Sequence, residues 1–224
     1  MRHFIIPSSS NVSTAAKLAE KISERLVKDD NSIIIPLVVE YKGKTHETVV
    51  VVEEIDADGM YAKEYDFMFI NPNVIKPYLK YHTTCDEKWY QGIYKLTSVI
   101  LHEMIHVMQV MSGKHYEGMD SYNTCVISDY WTHPIEVEPL FNDIFRDFTL
   151  KYESLINYFN VDKKDVFDFY MGINTHLLDT VGSKWRSIIV SWLEPLKMVP
   201  FYQENDEKIY KQLCDYINRR QYEG

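Results

Sequence analysis

Two histidines four residues apart are the first residues of this chain that indicate a chemistry. They stand in the segment His102-Glu103-Met104-Ile105-His106. On an α-helix, residues four apart lie on one face, one turn above each other, so both imidazoles can bind one zinc ion. Glu103 would lie beside that ion, where a carboxylate can take a proton from a water at the metal. The spacing predicts His102 and His106 as metal ligands and Glu103 as the catalytic general base.

The residues around this pair favour a buried helix. Leu96 to Met111 is an apolar run, and between Val99 and Met108 there is no Pro, no Gly and no charge except Glu103. Without a metal, the histidines would be core side chains bonded to the backbone or to Glu103. Burying two imidazoles and a carboxylate together is costly without a shared partner, and a metal supplies one.

A tetrahedral catalytic zinc needs a third protein ligand, with water in the fourth position. The extended metzincin pattern would place Gly at position 109 and His at position 112, but this chain has Gln109 and Ser112. The better candidates are Glu136 and Glu138, in the downstream segment Trp131–Asn142. Because positions two apart face different sides of a helix, only one of these glutamates is expected to bind the metal. The other reading of Glu136 is a first-turn carboxylate favoured by the helix dipole.

The two motifs together resemble a known class. A His-Glu-x-x-His segment followed by Pro-x-Glu-x-Glu resembles small zincin metallopeptidases of the gluzincin kind, including those of bacteriophages, over roughly residues 65–148. The resemblance implies Zn²⁺ as cofactor and Glu136, on a second helix, as the third ligand. By ligand type alone, two histidines and a carboxylate also suit Mn²⁺ or Fe²⁺. Glu138 is then expected to orient a histidine or to be solvated.

One residue departs from that pattern. Pro139 stands where the family usually has Ala, and Pro removes an amide donor from a helix. If Pro134 is the first helical residue, Pro139 is the sixth and should bend the helix. If Pro139 begins the helix, Glu136 lies in the preceding turn.

Attack of water on a carbonyl also needs a donor to the oxyanion that forms. Tyr130 and His133 are closest in sequence to Glu136, although His133 could instead cap the helix before Pro134. Further tyrosines and histidines are available, and the sequence does not choose among them: His115, Tyr116, Tyr122 and His176.

Composition sets limits on the function. The chain has 224 residues, of which 46% are hydrophobic, enough to bury a core in one domain, 1–224, with a sheet-and-metal-helix half at 1–113 and a mainly helical half at 114–224. A net charge of −9 argues against nucleic acid as a partner. The apolar start is too short for a signal peptide and no stretch is long enough for a membrane span. Three widely spaced cysteines fit reduced thiols in a cytoplasm, the host's if the chain is of phage origin.

Helical periodicity and Ile- and Val-rich segments predict an α+β fold: a small N-terminal antiparallel or mixed sheet with helices, the active-site helix, then a mainly helical half. This order of elements resembles that of zincin folds. The resemblance implies that an edge strand before the metal helix, here Asp66–Ile70, pairs with an extended peptide; the alternative interpretation is an ordinary core strand. The predicted elements are a helix at Ser13–Leu26, strands at Ile33–Tyr41, Thr48–Glu54 and Tyr65–Ile70, and later helices at Leu140–Phe159, Lys163–Met171, Ser183–Leu193 and Asn205–Arg220.

The sequence therefore predicts a zinc metallopeptidase whose partner is a peptide or protein substrate. Two alternatives remain. One is a zinc hydrolase that acts on a non-peptide amide. The other is a non-catalytic zinc-binding interaction or structural protein, for which a fourth ligand would come from Glu138, His133 or His115.

Overall fold

The computed structural model describes residues 5–29, 32–114, 130, 133, 135–151, 163–193 and 199–222. Its fold is α+β, with a small mixed four-stranded sheet and several helices, as predicted at that level. The chain divides into two compact units, Ile5–Glu117 and Gly118–Gly224 together with Met1–Phe4. That the whole chain forms one catalytic domain stays a prediction.

The first unit contains the sheet and the predicted metal-binding helix. Its first helix begins before the predicted Ser13, because the Ser8 side chain caps it by accepting a hydrogen bond from the Asn11 amide at 3.2 Å. A short 3₁₀ turn, Pro72–Val74, precedes the second helix. The elements are α1 (Ser9–Val27), β1 (Ile33–Tyr41), β2 (Lys44–Val52), β3 (Gly59–Ala62), β4 (Phe67–Ile70), α2 (Lys76–Leu79) and α3 (Asp86–Met111).

The strands lie in the order β1-β2-β4-β3. β1 and β2 form an antiparallel hairpin whose two turn residues, Lys42 and Gly43, have φ angles of 50° and 75°. Two successive positive φ angles are what a tight hairpin turn requires, and Gly43 adopts its angle without strain. β2 pairs with β4 in parallel, and β3 pairs with β4 antiparallel. The sheet is therefore mixed.

The strand predicted to bind a peptide is not at an edge. β4 begins at Phe67, since residues 63–66 form a turn, and it lies between β2 and β3. Both sides of β4 are already hydrogen-bonded, so the prediction that Asp66–Ile70 pairs with substrate is wrong. The edge beside β4 is instead β3, a four-residue strand that the sequence did not predict.

One face of the sheet forms the core of the first unit. Alternate residues of β1 are buried, and they pack with α1 and α3. Burying each such aliphatic side chain stabilises the fold by about 1.5–3 kcal/mol. The opposite face leaves apolar side chains exposed, including Ile34, Val38, Met60 and Phe67.

The second unit is helical in the part that the structure describes. Its helices are α4 (Val137–Lys151), α5 (Lys163–Val181), α6 (Trp185–Leu193, after the 3₁₀ turn Gly182–Lys184) and α7 (Val199–Tyr222). α5 continues past the predicted end at Met171, because Ile173, Leu177 and Val181 extend its buried stripe. The Trp192 indole N–H donates to the Val137 carbonyl at 3.1 Å, which ties α6 to the start of α4.

Two further predictions concern the described residues. None of their helices has the length and apolar character that crossing a membrane requires. Cys85 and Cys214 are free thiols, and Cys125 lies outside the described residues, so the prediction of three reduced cysteines stays a prediction.

Candidate metal centre

The helix α3 holds the histidine pair. It spans 26 residues, begins with Asp86 and Glu87, which favour a helix N-terminus, and ends just before Gly113 at φ 73°. All seven residues from 103 to 109 are buried. The predicted buried helix around the histidine pair is confirmed.

His102 and His106 face each other across one turn of α3. Their ring centroids lie 5.2 Å apart, with the ring planes at 69° to each other. His106 is buried, and His102 is half-buried. This arrangement presents two imidazoles on one helix face, as the spacing predicts.

Glu136 lies in a turn directly before α4, not within the helix. Its amide donates to the His133 carbonyl at 2.9 Å, and its carbonyl accepts from the Leu140 amide at 2.9 Å. Because α4 begins at Val137, Pro139 is its third residue, where an amide has no partner within the helix. Pro139 therefore fits without bending the helix. The resemblance placed Glu136 within a second helix, and this is corrected: Glu136 is the residue directly before that helix.

These three residues meet. One ligand atom of each of His102, His106 and Glu136 lies within 4.8 Å of those of the other two. Ligands of a tetrahedral zinc with bonds of about 2.0–2.1 Å stand roughly 3.3 Å apart, which lies within that limit. Two imidazoles and a carboxylate are also a donor set that zinc accepts. The group can hold a metal ion.

The group has three protein ligands in the part of the chain that the structure describes. Neither Glu138 nor His133 belongs to it, although both were candidates for a fourth ligand. His115 lies outside the described residues. A three-ligand site leaves a coordination position for water or substrate, which is characteristic of catalytic zinc.

The Glu103 side chain, on α3, packs against the edge strand β3. This side chain is 5% exposed. A Cβ built on Gly59, the first residue of β3, would lie 2.7 Å from Val99 Cγ1 and 3.0 Å from both Cγ and Oε1 of Glu103. Only a residue without a side chain lets β3 lie this close, so Gly59 fixes the space that the Glu103 carboxylate occupies.

The remaining predicted site residues keep their roles as predictions. Glu138 is buried in the first turn of α4, and its carbonyl accepts from the Asn142 side chain at 2.9 Å. Tyr130 is half-buried against the core of the second unit. His133 Nδ1 accepts from the Ile135 amide at 3.4 Å, a contact that matches its alternative role in the turn before the helix. His176 is exposed on α5, and Tyr116 and Tyr122 lie outside the described residues.

Gln109 is a site residue that sequence reasoning missed. Its side chain is 1% exposed, and its Oε1 lies 2.9 Å from Nδ1 of His106. The sequence analysis used Gln109 only to exclude the extended metzincin pattern and gave it no role in the site. Its spacing could have predicted this contact, because a polar residue three positions after a ligand, in a run with almost no other polar side chain, lies next to that ligand on the helix.

A polar cluster fixes the turn between β3 and β4. Asp66, at φ 54°, has its Oδ1 2.8 Å from His46 Nε2, and it accepts from the Tyr61 hydroxyl at 2.8 Å. Burial alone would raise the pKa of Asp66, but the hydrogen bonds from His46 and Tyr61 outweigh it and the pKa lies below its ordinary value. Burial and the Asp66 carboxylate raise the pKa of Tyr61. The cluster therefore favours an ionised Asp66 and a neutral Tyr61.

Comparison with known proteins gives no relative. No protein-family model, no curated protein and no solved structure matches this chain.

Proposed function

We propose that this chain is a zinc-dependent metallopeptidase with a zincin-like fold. The observation that carries the proposal is the convergence of His102, His106 and Glu136 within 4.8 Å, with Glu103 next to the first histidine. The sequence resemblance to gluzincins selects the same three ligands.

Each residue has a stated part in the reaction. His102, His106 and Glu136 would hold the ion, and a bound zinc supplies Lewis acidity that makes water a stronger nucleophile and a carbonyl more electrophilic. Glu103 takes the proton from the attacking water and passes it to the leaving amine. The packing of Gly59 against Glu103 keeps that carboxylate in place during both transfers.

The three-ligand group favours catalysis over a structural role. A closed zinc site needs four protein ligands, and the described residues supply three; of the fourth-ligand candidates, Glu138 and His133 are not in the group and His115 lies outside the described residues. A structural site would also gain nothing from Glu103, which is buried at a cost in desolvation. These two observations support hydrolysis over the non-catalytic alternative.

The edge strand β3 supports a peptide as the substrate. β3 ends the strand order, and its first residue touches Glu103. An extended peptide that adds to this edge would form backbone hydrogen bonds with β3 and run past the general base. Strand addition recognises the backbone and so favours a peptide over another amide.

The test is to compare wild type with Glu103→Gln, both purified without chelator or histidine tag. We expect about one zinc per chain in both proteins by elemental analysis. With a mixture of internally quenched peptides as the probe, we expect Glu103→Gln to reduce turnover by about 10²- to 10⁴-fold. Val190→Ala, at an exposed position of α6, is the matched control and should change neither quantity.

Three results would separate the alternatives. Metal in both proteins with no peptide cleaved by wild type would reject the peptidase and leave a zinc hydrolase of other amides or a binding protein. Equal turnover in wild type and Glu103→Gln would reject Glu103 as the base. A folded wild type without metal, and unable to take up added zinc, would reject the metal centre.

A further inference from the structure

We infer that Gln109 is a positioning residue that fixes the tautomer of His106 for metal binding. The inference rests on the metal site of the proposed function, but it does not depend on peptide hydrolysis. Its basis is the 2.9 Å contact between His106 Nδ1 and Gln109 Oε1.

The chemistry of the contact determines which ring nitrogen carries the proton. An amide oxygen only accepts hydrogen bonds, so Nδ1 of His106 must carry the hydrogen and donate it. A neutral imidazole has one protonated nitrogen, and Nε2 therefore keeps its lone pair. That lone pair is the one His106 offers to a metal.

The burial of the pair makes this preference strong. Gln109 is 1% exposed and His106 is 8% exposed, so water competes little for either group. The reversed contact, with the Gln109 amide nitrogen donating to Nδ1, would place the proton on Nε2 and remove the metal-binding lone pair. The orientation of one amide thus decides whether His106 can be a ligand.

The helix geometry explains why this position holds the partner. Gln109 lies three residues after His106, and side chains three apart on a helix are neighbours. The backbone of α3 therefore fixes the separation of the two groups. At this position the backbone carbonyl of Gln109 also accepts a hydrogen bond from the Ser112 hydroxyl at 2.7 Å. Ligand histidines in proteins usually donate their second ring N–H in this way, and loss of the acceptor costs about 10- to 100-fold in metal affinity.

Two substitutions of similar size separate acceptance from packing. Gln109→Glu keeps an acceptor and removes the amide donor, whereas Gln109→Leu removes both. We expect Gln109→Leu to weaken zinc binding by about 10- to 100-fold, measured by competition with a chromophoric chelator, and Gln109→Glu to bind at least as tightly as wild type. Thr97→Val is the control, since Thr97 is also buried on α3 and its hydroxyl donates to the Ile93 carbonyl at 2.8 Å.

A second measurement reads the tautomer without metal. In the zinc-free protein, long-range ¹H–¹⁵N correlation spectra distinguish an Nδ1–H imidazole from an Nε2–H imidazole. We expect the Nδ1–H form for His106 in wild type and Gln109→Glu. This result is obtained even if Gln109→Leu fails to fold.

The outcomes are distinguishable from failure of the proposed function. Wild type that binds zinc and cleaves no peptide would reject the peptidase, while a weakened Gln109→Leu would still support the positioning role. Equal zinc affinity in all three proteins, or an Nε2–H tautomer of His106 in wild type, would overturn the inference. So would a loss of affinity in Gln109→Glu equal to that in Gln109→Leu.

Discussion

Two segments supply the candidate ligands, and they hold them by different means. His102 and His106 lie inside a 26-residue helix whose neighbouring residues are buried. Glu136 lies in a turn, where backbone hydrogen bonds with His133 and Leu140 set its position. A side chain inside a packed helix loses little further freedom when it binds a metal, whereas a turn depends on a few local bonds. The backbone that carries the imidazole pair is therefore the more preorganised of the two, while the Glu136 side chain is as buried as that of His106.

The largest effect that tests this comparison is on metal affinity. We expect His106→Ala and Glu136→Ala each to weaken zinc binding by at least about a thousandfold, because zinc sites bind with about 10–16 kcal/mol and each ligand carries a large share. Glu138→Ala, a buried glutamate two residues from Glu136, is the matched control and should retain zinc. Retention of zinc by Glu136→Ala and its loss from Glu138→Ala would show that Glu138, and not Glu136, is the third ligand.

A smaller effect, on stability and kcat, is expected where Gly59 of β3 packs against Glu103 of α3. Gly59→Ala places a methyl group against Val99 and Glu103, so we expect a loss of about 1–3 kcal/mol in unfolding free energy and about tenfold in kcat, with zinc retained. Gly172→Ala in α5 has open space around the new methyl group and should be neutral or stabilising. A Gly59→Ala protein with unchanged kcat would mean that β3 does not position the base.

The turn that anchors β3 should respond to pH. Because the folded-state pKa of Asp66 is lowered, its stabilisation is complete above the ordinary value of 3.8 and is lost as the pH falls through the folded-state value. Asp66→Asn retains a residue that tolerates positive φ, and we expect it to cost about 1 kcal/mol at pH 7, after allowing for partial exposure, and less at pH 3, which lies below the ordinary pKa.

The stability cost of Asp66→Asn at each pH is measured by amide hydrogen exchange in β3 and β4, as the ratio of the wild-type exchange rate to the variant exchange rate. Asp66→Ala is the comparison, because it loses both the carboxylate and the tolerance of positive φ. A rate ratio for Asp66→Asn that is the same at both pH values would show that the charge of Asp66 contributes nothing.

The smallest effect concerns the turn that carries Glu136. Pro139→Ala should change unfolding free energy by no more than about 1 kcal/mol and leave zinc affinity unchanged, because the third helical residue needs no amide donor. Chemical denaturation and the chelator competition measure the two quantities. A large loss of zinc affinity would indicate that the proline itself holds Glu136 in its turn.

The parts of this fold that sequence predicted are those with strong local patterns. The Ile- and Val-rich segment Ile33–Tyr41 predicted β1 at its observed bounds, and the apolar run around His102 and His106 indicated α3. β3 has four residues next to a turn, and only its pairing with β4 makes it a strand. Strand order is set by contacts between distant segments, which explains why β4 was wrongly expected at an edge.

The candidate site divides in the same way. The helical spacing indicated two ligands and the base, and the resemblance indicated Glu136. Its place in a turn instead of a helix depends on where α4 begins, and the pattern left two starting points open. The contacts of Gly59 with Glu103 and of Gln109 with His106 depend on packing and on side-chain orientation, which spacing alone does not specify.

The unequal burial of α3 has a consequence for its tolerance to mutation. Between residues 86 and 95 only Gly92 and Ile93 are buried, whereas the stretch from 103 to 109 is buried throughout. A saturation mutagenesis scan should therefore accept substitutions on most of the first three turns and almost none on the last two. In the last two turns the same few residues form the core and hold the site. Any change of specificity that preserves stability must then arise from residues outside the last two turns of this helix.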